Sequence, residues 1–280
     1  MLSSVYEPRA GAPRSARPRS SYESVLGPTY GLEPANEVAE PFAWSRFGSV
    51  AASRPTSPKF ITASSIPHFS LGVQRLDSLL RPFKPGRLTV LSGSLSPIVA
   101  ELATFRAQLP IEAGGLDSGV LFVDGGNRSD PYLLSVFAKQ ARHRPASMMR
   151  RVATCRVFTF YQLADFISSR LAAAVEDFGV GLVVVSDMLG TFNEPELDER
   201  EARRMLSAAE EGIRRVQKKA LVIMTLVSPN KYADMIASWA DTMAVFSQSR
   251  GIVRAELLKH KNRPPEVANF RLSQLLRVIR

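Results

Sequence analysis

The sequence predicts an α/β domain built on a mostly parallel β-sheet flanked by helices, with antiparallel strands at its C-terminal end. Three observations carry this: continuous β-branched or aliphatic runs from about Phe69 onward, helix-length amphipathic stretches between them, and a change of texture after Leu226. Strands covered on both faces read as unbroken apolar runs, and parallel neighbours need crossovers long enough to hold a helix. The runs are Leu88–Leu91, Val120–Asp124, Val157–Phe160, Leu182–Asp187 and Ala220–Leu226, with helices expected at about 98–109, 130–142, 161–177 and 198–218. The segments MAVFSQS, GIVRAELLK and ANFRLS then read as short antiparallel strands joined by turns.

Composition narrows the classes. The chain has 280 residues, 45% of them hydrophobic, and 36 Lys plus Arg against 26 Asp plus Glu. Its single cysteine, Cys155, rules out a disulfide scaffold and reads as a buried or incidental thiol, which points to a reducing intracellular compartment, cytoplasm or nucleoid or nucleus. No window approaches the roughly 20 apolar residues of a membrane-spanning helix, so no membrane partner is expected. The net charge of +10 is a weak hint of a polyanionic partner. Residues 1–60 are a different material, with Pro, Ser, Arg, Ala and Glu interspersed and no sustained period. They read as a disordered tail and linker ahead of one domain at 69–280. The Ser- and Arg-rich, acid-poor first 20 residues also fit a transit peptide.

The first run is followed by Gly93-Ser-Leu-Ser-Pro-Ile98-Val99-Ala100, where a phosphate-binding loop would stand. A working loop, G-x-x-x-x-G-K-[ST], needs backbone amides around the phosphates, a second glycine for the wrap, a lysine for the β and γ oxygens and a hydroxyl for magnesium. Here Gly93 is kept, while Ile98, Val99 and Ala100 replace the glycine, the lysine and the hydroxyl. On spacing alone this is a strand-turn-helix connection.

Around that turn a series of motifs occurs in order: Ser70-Leu-Gly-Val-Gln-Arg-Leu-Asp-Ser-Leu-Leu80, Pro85-Gly-Arg-Leu-Thr-Val90, Gly119 to Leu134 (GVLFVDGGNRSDPYLL), Leu182 to Phe192 (LVVVSDMLGTF), ALVIMTL, and Lys259 to Leu272 (KHKNRPPEVANFRL). The series resembles the RecA-like recombinase core, especially the archaeal RadA and RadB proteins and the eukaryotic strand-exchange recombinase paralogues, over roughly residues 69–275. Without a helical DNA-binding domain ahead of the core, the layout is more RadB-like. The resemblance implies a RecA-like fold and a degenerate nucleotide site. Asp124-Gly-Gly126-Asn stands where the family has a D-T-E-G type turn, with Gly126 in place of the water-activating glutamate. Ser186 takes the place of the fourth-strand carboxylate, and Asp187 after it would project to the other face unless a bulge restores it. Leu226 replaces a γ-phosphate-sensing Gln. Losing one such group usually costs two to three orders of magnitude in rate, so essentially no ATPase activity and no cofactor are expected.

The loops that contact DNA in the family correspond to Asn193–Arg200, which is acidic, and Ser228–Ile236, which is short. Basic residues concentrate elsewhere: Lys139, Arg142, Arg144, Arg150, Arg151 and Arg156 in one stretch, and Arg254, Lys259, Lys261, Arg263, Arg271, Arg277 and Arg280 in another. Arg150, Arg151, Lys259, Lys261 and Arg263 are the candidate contacts to single-stranded DNA or, by resemblance, to a neighbouring subunit. His260 reads as a partly exposed histidine without a catalytic role. Phe60-Ile-Thr-Ala63 fits the F-x-x-A pattern by which recombinase protomers add a strand to a partner and bury Phe and Ala there. The expected function is therefore a non-catalytic paralogue in homologous recombination or DNA repair that binds a recombinase or another paralogue, with DNA as a weaker electrostatic contact. The alternative is a protein-interaction adaptor with no DNA role, and the third reading is an active ATPase with an unusual site.

Overall fold

A computed structural model describes residues 69–192 and 197–277; the tail, Phe60, Ala63 and part of the Asn193–Arg200 loop lie outside the described residues. The order of elements is α1 (Gln74–Leu80), β1 (Leu88–Ser92), α2 (Ser96–Ala107), β2 (Gly119–Asp124), α3 (Pro131–Gln140), α4 (Pro145–Met149), β3 (Val152–Arg156), α5 (Phe160–Asp165), a π-helical stretch (Phe166–Arg170) and α6 (Leu171–Phe178). Then follow β4 (Val180–Ser186), α7 (Glu199–Val216), β5 (Leu221–Leu226), α8 (Ala233–Trp239), β6 (Thr242–Ser249), β7 (Ile252–His260), β8 (Glu266–Arg271) and α9 (Leu272–Leu276). One eight-stranded sheet, in the order β3-β2-β4-β5-β1-β6-β7-β8, organises them. Strands β1 to β6 run parallel, and only the β6-β7 and β7-β8 pairings are antiparallel. The α/β class, the parallel sheet with flanking helices and the antiparallel C-terminal strands are as the sequence predicts.

Alternation along the central strands builds two cores. Leu88, Val90, Leu121, Val123, Val183, Val185, Val222 and Met224 face α5 to α8, where they pack with Leu163, Leu171, Leu206, Ile213 and Trp239. The intervening residues of the same strands face α2. That helix has no solvent side: every residue from Ser96 to Ala107 is buried except Pro97. It is sandwiched between the sheet and α3, with α9 beside it, and Phe105 meets Phe137 at a centroid distance of 6.0 Å. A helix wrapped on all sides can carry apolar residues all round, and α2 does so except at Ser96, Glu101, Thr104 and Arg106, which are buried with the rest.

Three expectations are corrected. The third strand is Val152–Arg156, not Val157–Phe160; Phe160 opens α5, with the Thr159 hydroxyl accepting the Gln162 amide at 3.2 Å as its N-cap. β3 is an edge strand, and its exposed Thr154 and Arg156 interrupt the apolar run that marks a buried strand. The MAVFSQS segment is not antiparallel on both sides: β6 pairs parallel to β1 before turning into β7. The single helix expected at 161–177 is interrupted by the π-helical stretch. Among the described residues no helix is long and apolar enough to cross a membrane.

The S-x-G-x-x-x-L-D opening has a structural explanation. Asp77, 6% exposed, accepts from the Ser70 hydroxyl at 2.6 Å, the Leu71 amide at 2.8 Å and the Gly72 amide at 3.1 Å, and pairs with Arg81 at 3.5 Å. Gly72 sits at φ +75° with the Arg106 guanidinium 3.2 Å from where a Cβ would be. The motif is thus the entry of the chain into the domain, tied into a buried carboxylate. Asp77→Ala leaves the Ser70 hydroxyl and the Leu71 amide unmatched, while the Gly72 amide keeps the Ser70 Oγ at 3.1 Å, and is expected to cost about 2 kcal/mol or more, lowering the melting temperature by about 6 °C, with Asp77→Asn costing less. Thermal melts of the two variants check this.

Candidate functional site

The strand order β2-β4-β5-β1 sets four carboxyl ends side by side on one rim of the sheet. The chain leaves β2 toward the β3 edge and leaves β4 toward β5, so the two connections diverge, which is where open α/β sheets place ligand crevices. Gly93, Ile98, Val99, Ala100, Asp124, Gly126, Asp187 and Leu226 all belong to segments that end or begin at this rim.

The turn after β1 is closed on itself. Helix α2 starts at Ser96, so only Gly93 to Leu95 separate it from the strand. The Gly93 amide donates to the Leu226 carbonyl at 2.9 Å, the Ser96 amide and hydroxyl donate to the Gly93 carbonyl at 3.0 and 2.8 Å, and the Val99 amide donates to the Leu95 carbonyl at 3.2 Å. These amides, which a phosphate loop would aim at an anion, are spent inside the protein. Gly93 is required for another reason: at φ +96° a Cβ would lie 2.1 Å from the Phe246 carbonyl oxygen of β6. Ile98 is 5% exposed and Val99 and Ala100 are fully buried, so the positions of the lysine and the hydroxyl are core positions of α2.

Asp124 closes β2 and is fully buried. Its carboxylate accepts the Arg128 amide at 2.8 Å and the Ser129 amide at 3.2 Å and pairs with Arg156 Nε at 3.5 Å. This folds the segment after β2 back over the strand end. Asp187 does not continue β4. Ser186 is the last residue in register, opposite Asp124, and Asp187 turns at φ +50°. Its amide donates to the Thr225 hydroxyl at 2.8 Å, and its carboxylate accepts the Val227 amide at 3.1 Å and meets Arg128 Nε at 3.4 Å. The left-handed turn, rather than a bulge, brings the acid back over the rim. It rests on Gly126, where a Cβ would lie 2.3 Å from Asp187 Oδ2. The space beside Gly126, where the resembled motif carries a glutamate, is therefore filled by the Asp187 carboxylate approaching from β4, while Ser186 is fully buried with its hydroxyl unpartnered.

Glu101, one residue past Ala100, completes the acidic set. It is 3% exposed and accepts the Asp130 amide at 2.8 Å. Burial pushes its carboxyl up to about 8, with the charges of Asp130 and Asp124 adding to the rise and the Asp130 amide opposing it. Two buried carboxylates tied to Arg128 and Arg156, beside a third that resists ionisation, make a self-neutralised rim. Among the described residues no group of three or more His, Cys, Asp or Glu is arranged to hold a metal ion. Arg128, Glu101, Asp130 and Thr225 were not singled out by the sequence reading. The four-residue spacing from Asp124 to Arg128 was the available signal, and only the fold of the turn gives it meaning.

Several of the basic candidates are occupied inside the molecule. Arg151 donates to the Gln108 carbonyl at 2.9 Å and pairs with Asp117 at 3.2 Å. Lys259 Nζ donates to the Ala237 and Ser238 carbonyls, both at 3.1 Å, at the end of α8. Arg263 donates to the Ser78 and Leu79 carbonyls at the end of α1 and pairs with Glu266 at 2.5 Å. Such cations complement the carbonyl ends of helices. Arg150 and Lys261 are exposed. The clusters are not brought together at the rim. His260 accepts the Asn262 amide at 3.1 Å, and burial together with the charges of Arg263 and Arg87 holds its imidazole below the usual range. Cys155 is buried on β3, its thiol pushed up to about 11 by burial against an opposing pull from Arg170, which disfavours the reactive thiolate.

No protein-family model and no curated protein sequence matches this chain.

Two outcomes follow from the rim. Gly126→Glu, which would put back the glutamate of the resembled family, forces a side chain into Asp187 and is expected to destabilise the fold by about 2 kcal/mol or more without creating turnover; denaturant unfolding and a phosphate-release assay read both. For Glu101 the folded carboxyl lies above its unfolded value of 4.5, so the stability it contributes is full below about pH 4.5 and is lost as pH rises toward about 8. Glu101→Gln, a mimic of the neutral acid, should match the parent in melting temperature near pH 4.5 and exceed it at pH 8.5.

Proposed function

We propose that this protein is a non-hydrolysing RecA-fold paralogue that acts in homologous recombination or repair, in a reducing intracellular compartment, by binding a recombinase or another paralogue. The observation that carries the reading is the rim. The chain positions that the resemblance assigns to nucleotide handling, Gly93 to Ala100, Asp124 to Gly126, Ser186–Asp187 and Leu226, converge at one end of the sheet, and each is occupied by packed or mutually paired side chains. That convergence is what a RecA-like core requires, and the occupation supports a fold kept after its catalytic groups were replaced.

A protein partner is favoured over DNA for a specific reason. Arg151, Lys259 and Arg263 spend their charge on carbonyls and carboxylates of this chain, whereas β3 is an outer edge of the sheet with exposed Phe158 and Tyr161 just beyond it. An open edge is a place where an extended segment of another chain adds main-chain hydrogen bonds, and Phe60-Ile-Thr-Ala63 is a segment of the kind that would be donated in return. The adaptor reading without a DNA role draws on the same observation.

The purified protein is expected to show no ATP turnover above buffer with or without single-stranded DNA. A rate that disappears in Asp124→Ala would overturn the non-hydrolysing reading. Phe60→Glu should abolish co-purification with a RecA-fold partner by placing a charge in an apolar pocket, while single-stranded DNA affinity stays weak and falls steeply with salt. Tight, salt-resistant DNA binding with partner association intact in Phe60→Glu would reverse the order of the two contacts.

A further inference from the structure

We propose that the end of the sheet opposite the rim carries a binding site for a small organic monocarboxylate with an apolar body. A cleft of about 770 Å³ opens there between the entry segment at Gly72–Gln74, the end of α2 and the end of α3. Val73, Leu109, Pro110 and Ala141 make its apolar walls, Gln74, His143 and Gln274 stand in its lining, and Arg106 is its cation.

The state of Arg106 is what argues for an anion. Its side chain comes off the last turn of α2, the helix without a solvent face, and is only 7% exposed. Nε donates to the Ser70 carbonyl at 2.9 Å and Nη2 to the Ala113 carbonyl at 2.5 Å. Nη1 has no acceptor among the described residues and lies 3.2 Å from where a Cβ on Gly72 would be, on the cleft-lining segment. Among the described residues no carboxylate pairs with this guanidinium. Asp77 acts on it only through space, since its own oxygens are committed to Ser70, Leu71, Gly72 and Arg81. A buried cation held by neutral carbonyls alone is costly, and a carboxylate brought in by an apolar body that fills the cleft would supply the missing partner through a charge-assisted bond. Few polar groups converging in a mostly apolar concavity is the common form of a small-molecule site. The proposal uses no feature of the rim and does not depend on the reading given for it.

Titration calorimetry of the full-length protein with octanoate and with octanamide tests it. Octanoate should bind with one site per chain, and octanamide, equal in shape but neutral, about tenfold more weakly or worse. Ala141→Phe narrows the cleft while leaving Arg106 in place and should abolish octanoate binding with an unchanged melting temperature. Arg106→Gln should reduce octanoate to the affinity of the amide. No binding of octanoate at millimolar concentration, equal affinity for acid and amide, or undiminished binding by Ala141→Phe would each overturn the proposal.

Discussion

Helix α2 is buried on every side, and most of what is distinctive about this protein follows from that constraint. A phosphate-binding helix has to leave its first turn open, so that amides, a lysine and a hydroxyl can face an anion. Here the first turn is sealed by the Gly93 and Leu226 backbones, and Val99 and Ala100 are core residues. The same enclosure raises Glu101 toward neutrality in the middle of the helix and holds Arg106 as a cation with carbonyl partners at its end. One helix thus sets the chemistry at both ends of the sheet.

The charged groups are arranged to answer one another within the chain. Asp124 and Asp187 are covered by Arg128 and Arg156 at the rim, and Lys259 and Arg263 close the carbonyl ends of α8 and α1. Buried carboxylates that accept backbone amides shape loops firmly, because removing either partner strands a polar group away from water. Among the described residues Arg106 departs from this pattern, a buried charge held by carbonyls rather than by a carboxylate.

At the positions of the resembled nucleotide motifs the space is filled by packing. At Gly126 the absent side chain leaves the space that the Asp187 carboxylate enters, and Gly190 presents a second bare backbone to the same group, with a would-be Cβ at 2.9 Å. Substituting one of these residues without the other changes the shape into which its neighbour fits. The rim is thus a single packed unit and not a set of independent vacancies in a motif.

What the sequence by itself determined was the α/β class, the four central strands at Leu88, Val120, Leu182 and Ala220, and the identities of Val99, Ala100 and Gly126 at the places where the resembled motifs carry lysine, hydroxyl and glutamate. Each is written in local chemistry, as an unbroken apolar run or an identity at a fixed spacing, and local chemistry survives without coordinates. The edge strand β3 and the parallel pairing of β6 were decided only by the tertiary structure, because an edge strand is half solvated and strand direction depends on what lies beside it. So were the turn that carries Asp187 back over the rim at φ +50° and the meeting of Asp77 with Ser70, Leu71 and Gly72. The pairing of Arg128 with Asp187 joins residues 59 positions apart, and the cleft at Arg106 joins segments from α1, α2 and α3. No periodicity reports such encounters, since they arise only when the packing of elements fixes which side chains share a space.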